Sequence, residues 1–303
     1  MRSMLLATAS VAGLLAASQT AVAAADNSGF GQLNLGHGWT SGAKDGVDAF
    51  DDPTTYGGRA QVYLPLSDPV HFQGDVFAEH SNNITHGGEF GWPTQDASSY
   101  GFAVHVIHPM QNARVGAVGS LITTDAFVPR GNGKANFRYG LGALELQYLA
   151  DNWSFMGQGG LFGALSTDGV EGRIIDGVFI RGGVKYFFAA NTSLSGEALL
   201  FWGDDSGRFF PGHVSGGTVK VEGEHRFDGS PFSGFVSIGY ESERGNAPFD
   251  SASQDTFSVN GGIRLYWGQT TLASENQTGA AFNTPDLAHV FYSEGVVQHN
   301  ADN

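Results

Sequence analysis

The chain has 303 residues, 45 glycines and no cysteine, and its 30 acidic against 15 basic side chains leave a formal charge of −15. That balance argues against a phosphate-binding surface, so no nucleic-acid partner is expected. Without cysteine there is no disulfide framework, and beyond residue 25 no apolar run of ~20 residues offers a transmembrane helix.

Residues 1–25 follow the three-part plan of a secretory signal peptide. Met1-Arg2-Ser3 is a short positive start, Met4 to Ala17 an apolar run, and Ala21-Val22-Ala23 and Ala23-Ala24-Ala25 are small-x-small cleavage sites. The chain is therefore expected to be exported, with the mature part starting at about residue 26.

From there apolar and polar residues alternate with period two, about twelve times over. Expected strands cover 30–40, 56–66, 70–80, 98–108, 114–123, 136–148, 153–163, 177–187, 193–203, 217–227, 232–242 and 256–267. In the second, Ala60, Val62, Leu64 and Leu66 alternate with Arg59, Gln61 and Tyr63. In the third, Val70, Phe72, Val76 and Ala78 oppose His71, Gln73, Asp75 and Glu79. In the tenth, Val219 and Val221 oppose Lys220, Glu222, Glu224 and Arg226. Successive side chains of a strand point to opposite faces, so each segment has one apolar and one polar face.

The gaps sort into two kinds. Those at 41–55, 81–97, 124–135, 164–176, 204–216 and 243–255 are long and rich in Gly, Asp, Asn and Ser. Those at 67–69, 109–113, 149–152, 188–192 and 228–231 are short, with turn residues such as Asp228-Gly229-Ser230-Pro231. Long and short gaps alternate without a break. A transmembrane antiparallel β-barrel produces that pattern, with long loops outside, tight turns in the periplasm and both termini on the periplasmic side. A β-sandwich has no reason to sort its loops this way. Aromatic residues gather at the strand ends: Trp39, Tyr56, Trp202 and Tyr240 near the long gaps, and Phe72, Tyr148, Trp153, Phe187 and Trp267 near the short ones. Two such belts are expected at the two headgroup levels.

The last strand, Asn260-Gly261-Gly262-Ile263-Arg264-Leu265-Tyr266-Trp267, reads polar-x-Gly-x-x-hydrophobic-x-aromatic. It resembles the recognition signal in the final strand of bacterial outer-membrane barrels, of the porin-like class. The resemblance spans residues 29–267. It implies that the barrel-assembly machinery reads Asn260, Gly262, Leu265 and Trp267, and that the partners are outer-membrane lipids and lipopolysaccharide of a Gram-negative envelope. The expected organisation is an all-β chain: an antiparallel transmembrane β-barrel of about twelve strands over 26–267, then a polar periplasmic tail, 268–303. A second reading makes that tail a plug or a contact with another envelope component. Pro285 to Tyr292 reads as a short turn of helix or strand.

The inner face holds the candidate functional residues. The alternation points Arg59, Asp75, Glu79, Glu145, Arg181, Lys185, Glu197, Lys220, Glu222, Glu224, Arg226, Glu241 and Arg264 inward. Charges of both signs in a wet pore filter solutes by charge and size, whereas the same charges paired with one another would close the lumen. The leading expectation is a porin-like channel for passive diffusion of small hydrophilic solutes. The alternatives are a closed structural or surface-interaction barrel and, more remotely, an outer-membrane lipid hydrolase. Asp45, Asp48, Asp51 and Asp52, with Asp204 and Asp205, crowd two long loops and read as solvated acidic loops rather than a calcium site. Glu79-His80-Ser81-Asn82 lacks the His-x-Ser spacing that puts an imidazole beside a hydroxyl on one strand face. His86, and His105 with His108, form no metal set. No catalytic residue, metal or cofactor is expected.

Overall fold

A computed structural model describes residues 27–44, 47–51, 53–67, 69–84, 95–128, 133–166, 174–205, 212–247, 250–280 and 282–285. The expected signal peptide and residues 286–303, with the expected element after Pro285, lie outside the described residues. So do Asp45, Asp52 and His86, and the side chains of Asp48, Asp51 and Asp205.

All twelve expected strands are present. In chain order they are β1 (Ser28–Lys44), β3 (Thr54–Ser67), β4 (Val70–Ile84), β5 (Gln95–Pro109), β6 (Ala113–Val128), β7 (Gly133–Ala150), β8 (Trp153–Ser166), β9 (Ile174–Ala189), β10 (Thr192–Asp205), β11 (Gly212–Arg226), β12 (Phe232–Ala247) and β13 (Asp250–Trp267). Each pairs antiparallel with its sequence neighbour, and β13 pairs with β1 from Gly29↔Trp267 to Lys44↔Ala252, which closes a twelve-stranded ring. Closure removes the unpaired backbone edges that a lipid environment cannot satisfy. A thirteenth strand, β2 (Val47–Asp51), falls within an expected loop and pairs with the far end of β1, in line with β3.

The ring strands are 14–18 residues long, against the ~9–11 needed to cross hydrocarbon. The sequence pattern marks only the lipid-facing stretch of each strand. Ladder hydrogen bonds continue past it into polar rims such as Ser41–Lys44.

Burial alternates as the sequence reading requires. On β5, Ala103, His105 and Ile107 are buried, while Phe102, Val104 and Val106 are 43–48% exposed. Every ring strand presents at least one large apolar side chain on its outside. So continuous an apolar exterior suits lipid rather than water. Trp39, Trp202 and Tyr240 face outward near the long loops, and Tyr148 and Trp153 near the short turns. Phe187 corrects the sequence reading. It shares the inward parity of Arg181 and Lys185, is 5% exposed, and packs in the lumen, while its neighbour Phe188 takes the outer position.

Closure depends on Gly262. A Cβ there would stand 2.0 Å from the Leu33 carbonyl oxygen across the seam and 2.8 Å from the Phe235 ring. Gly262→Val is therefore expected to abolish the compact, heat-modifiable band of the barrel on unboiled gels. A normal band shift would contradict this account of the seam.

The inner face is not uniformly polar. Val118, Ile122, Tyr139, Leu141, Phe162, Phe179, Leu199, Phe201 and Val214 form a buried apolar cluster inside the barrel. It fills the side of the lumen under β6–β11. Open space is thereby displaced toward the charged faces of β1, β3 and β9–β13.

The segment after β13 does not stay outside. Gly268, at φ +88, turns the chain back; a Cβ there would lie 2.4 Å from the Asn27 carbonyl oxygen. A short helix, α1 (Leu272–Thr278), follows, capped by Thr271, whose side chain accepts from the Ser274 N–H. Leu272 seats among Phe30, Phe187 and Tyr266. Ala280 and Phe282 seat against Tyr63 and Ile107. The described part of the expected periplasmic tail thus lies within the turn-side end of the barrel, in the manner of the plug reading.

Candidate functional site: a charged vestibule floored by the C-terminal tail

The strands bring the thirteen candidate charges to the inner wall, at three depths. Nine line a cavity of about 420 Å³: Arg59, Glu79, Arg181, Lys185, Glu197, Lys220, Glu222, Glu241 and Arg264. The lining runs from Thr40 and Thr256 at the loop-side ends of their strands to Glu275, Asn276, Ala280, Asn283 and Thr284 of the tail. The tail is therefore the floor of this vestibule. Glu224 and Arg226 lie lower, around the helix. Asp75 and Glu145 do not line the cavity and are sealed in the wall beside the tail.

One wall of the vestibule is a ladder of ion pairs. Arg264 Nη2 is 2.8 Å from Glu222 Oε1, and its Nη1 is 2.6 Å from Glu224 Oε2. Lys220 and Lys185 each stand 3.6 Å from Glu222 and Glu224 respectively. Arg181 donates to Glu197 at 2.5 Å. Period-two alternation on β9, β10, β11 and β13 puts these groups on one face. The antiparallel register then pairs Glu197 with Lys220, and Ser195 with Glu222, at the same level. Opposite, Arg59 on β3 lies over the Phe77 ring at 5.7 Å, and among the described residues it makes no ion pair. It is nonetheless close enough to act electrostatically on Glu197, as Lys220 does. Arg59 is the cation of this wall that remains available to a solute.

Below the cavity a second network seals the tail. His105 Nδ1 is 2.8 Å from Glu145 and its Nε2 is 3.3 Å from Asp75, all three side chains fully buried. Gln158 Nε2 donates to Glu145 at 2.6 Å, and Gln61 Nε2 and Gln73 Nε2 donate to Asp75 at 2.9 and 2.8 Å. Thr284 donates its hydroxyl to the same Asp75 at 2.7 Å and its backbone N–H at 3.2 Å. Phe282, fully buried, stacks on the His105 ring with centroids 6.3 Å apart. On the helix, burial pushes the Glu275 carboxyl up to about 7, partly opposed by Arg114 and Arg226.

That shift has a sign. The docked tail holds the Glu275 proton more tightly than a released tail, whose carboxyl titrates near its ordinary 4.5. Docking is therefore strongest below about pH 4.5, weakens as pH rises to about 7, and levels off above it. A spin label on Thr278→Cys, at an exposed position in a chain without other cysteines, should gain mobility between pH 5 and 8, and Glu275→Gln should remove the change. A pH response unaltered by Glu275→Gln would refute the assignment.

Sequence reasoning missed the residues that hold the tail: Gln61, Gln73, His105, Arg114 and Gln158. The available clue was that each sits at an inward parity position among charged candidates. Of the other sequence candidates, Asp204 pairs with His213 at 2.6 Å on the exposed rim. His80 points outward and meets Ser98 at 2.8 Å, while Ser81 points inward to Thr55, so no His-Ser dyad forms within that motif. His108 meets the Pro69 carbonyl oxygen at 2.9 Å beside a turn. Among the described residues, no group of three His, Asp or Glu side chains is placed to hold a metal ion. Asn260, Gly262, Leu265 and Trp267 lie on β13, on the seam that closes against β1.

The closed ring, apolar exterior and charged interior define a transmembrane-type β-barrel. No protein-family model matches the chain, and no curated protein matches its sequence. Solved structures of similar outline include the translocator domain of the autotransporter NalP from Neisseria meningitidis. It has 11% identity and a TM-score of 0.48, covering 88% of this chain and 99% of that one. A mutant of the TodX monoaromatic hydrocarbon channel shares 10% identity at a TM-score of 0.45, over 80% of this chain and 90% of that one. The KdgM porin shares 10% identity at a TM-score of 0.38, over 77% and 99%. The similarity is one of general barrel shape.

Proposed function

We propose that the chain is a bacterial outer-membrane channel for small hydrophilic solutes, exported with a cleaved signal peptide, and that its own C-terminal tail controls the lumen. The observation that carries this reading is the charged vestibule, which reaches from the loop-side rim to a floor that includes Glu275, Asn276, Ala280, Asn283 and Thr284 of the tail. A barrel whose interior served stability alone has little reason to keep a guanidinium that makes no ion pair among the described residues beside a cavity of about 420 Å³. In this reading the long loops face outward, the short turns face the periplasm, and the tail enters from the periplasmic side. A second reading, a closed surface-interaction barrel, draws on the apolar cluster under β6–β11 and on the paired charges of β9–β13.

Planar-bilayer recording separates the two. Phe282→Ala removes a fully buried ring, a loss of about 3–5 kcal/mol in a packed core. At 1.4 kcal/mol per tenfold, the docked tail should be weakened on the order of a hundredfold or more. The wild-type protein is expected to give small or rare conductance steps and Phe282→Ala larger and more frequent ones. Silence from both would sink the channel and leave the closed barrel.

A further inference from the structure

The contacts that hold the tail are mostly contacts to main chain. Arg114 donates to the carbonyl oxygens of Gly279, at 2.9 Å, and Gln277. Gln61 donates to the Phe282 carbonyl at 3.1 Å, and Gln73 donates to the same oxygen. Gln158 and Arg181 donate to the Asn283 carbonyl at 3.1 and 2.7 Å. Asp75 accepts the Thr284 backbone N–H. Any peptide carries these groups. Few contacts read a tail side chain, and the fullest of them is the slot for Phe282, walled by Tyr63, Ile107 and the stacked His105 ring.

If the tail left, Arg114 would lose the Gly279 and Gln277 carbonyls it donates to, and Gln61, Gln73, Gln158 and Arg181 would lose their tail carbonyls while keeping partners on the wall. Arg114 is 3% exposed, and an unpaired buried donor costs more than a paired one returns. The seat therefore calls for a replacement with carbonyl groups at similar spacing. The vestibule lies directly above it, sharing Asn283, Thr284 and Ala280 as its floor.

We propose that the turn-side half of the lumen is a binding site for short extended peptides bearing an aromatic side chain, and that the tail is its resident, displaceable occupant. This rests on the reading of the lumen as a solute pathway and names the solute class. The tail is tethered to the seat at an effective concentration on the order of millimolar for a short linker, so it masks the site from dilute ligand. Weakening the tail unmasks it.

The test uses the full-length protein in detergent and a fluorescein-labelled peptide with the sequence of residues 277–285. Phe282→Ala should bind it saturably by anisotropy, at least tenfold tighter than wild type does. It should also bind it at least tenfold tighter than the same peptide with alanine replacing phenylalanine. Thr284→Val, which removes a hydroxyl contact to Asp75 without emptying the slot, should give an intermediate affinity. Heat-modifiable migration checks that both variants are folded. In bilayers, the peptide should block the steps of Phe282→Ala. Absence of saturable binding in both folded variants, or equal binding of the two peptides, overturns the peptide site. Conductance without binding overturns the peptide site and keeps the channel; binding without conductance in any variant keeps the peptide site and removes the channel.

Discussion

Replacing His105 with leucine is expected to cost the barrel about 3–5 kcal/mol, the range for breaking a buried ion pair from one side. The imidazole stands between Glu145 and Asp75, and all three side chains have no solvent exposure. Without it, the two carboxylates keep the neutral donors Gln61, Gln73, Thr284 and Gln158 but lose the imidazole between them, and Phe282 loses the ring on which it stacks. The unfolding midpoint in urea, followed by tryptophan fluorescence in lipid, should fall clearly. Adding Asp75→Asn and Glu145→Gln should recover much of the loss, because neutral amides do not repel. If the triple variant is no more stable than His105→Leu alone, electrostatic repulsion is not the cause, and the defect lies in lost packing around the tail.

Replacing Arg264 with alanine is expected to act on both stability and selectivity. Its guanidinium bridges Glu222 and Glu224, donates its Nε–H to Gln32 Oε1 at 2.8 Å, and lies 4.2 Å from the Phe235 ring centroid. Removal leaves the two carboxylates with the more distant Lys185 and Lys220, each at 3.6 Å, and with the Ser233 and Tyr266 hydroxyls that donate to Glu224. A destabilisation of about 3–5 kcal/mol follows from the uncompensated buried charge. The vestibule also becomes more acidic, so the reversal potential under a salt gradient should move toward cation preference. Arg59→Glu makes the complementary test, since Arg59 holds no ion pair among the described residues. It should shift selectivity the same way with little loss of stability. An unchanged reversal potential in both variants would place the ion path elsewhere.

The strands were legible in the sequence because a lipid-facing wall imposes one rule at every position, and period two records it. The inward set, from Arg59 to Arg264, follows from that parity alone. Phe187 shows the limit of reading belts by residue type: an aromatic at a strand end was placed outside, although its parity with Lys185 puts it inside. The apolar lumen cluster was missed for a related reason. Val118, Ile122 and Leu199 share the inward parity of the charged candidates, yet apolar residues were expected mainly on the outer face.

The tail was the least legible part. Its contacts join residues far apart in the chain; Thr284 and Asp75 are 209 positions apart. Gly268 and the Thr271 cap mark a turn and a helix start, but nothing local says that the helix enters a barrel.

The sequence by itself determined that the chain carries about twelve strands, one face of each apolar and the other polar. Alternation, turn chemistry and loop length are local properties, and a one-residue slip would expose the wrong face everywhere. Only the tertiary structure decided what fills the lumen. Parity states which side chains point inward, but register and closure set what each one meets across the barrel. Those meetings place an apolar cluster across β6–β11, an ion-pair ladder across β9–β13 and the chain's own tail at the turn-side end.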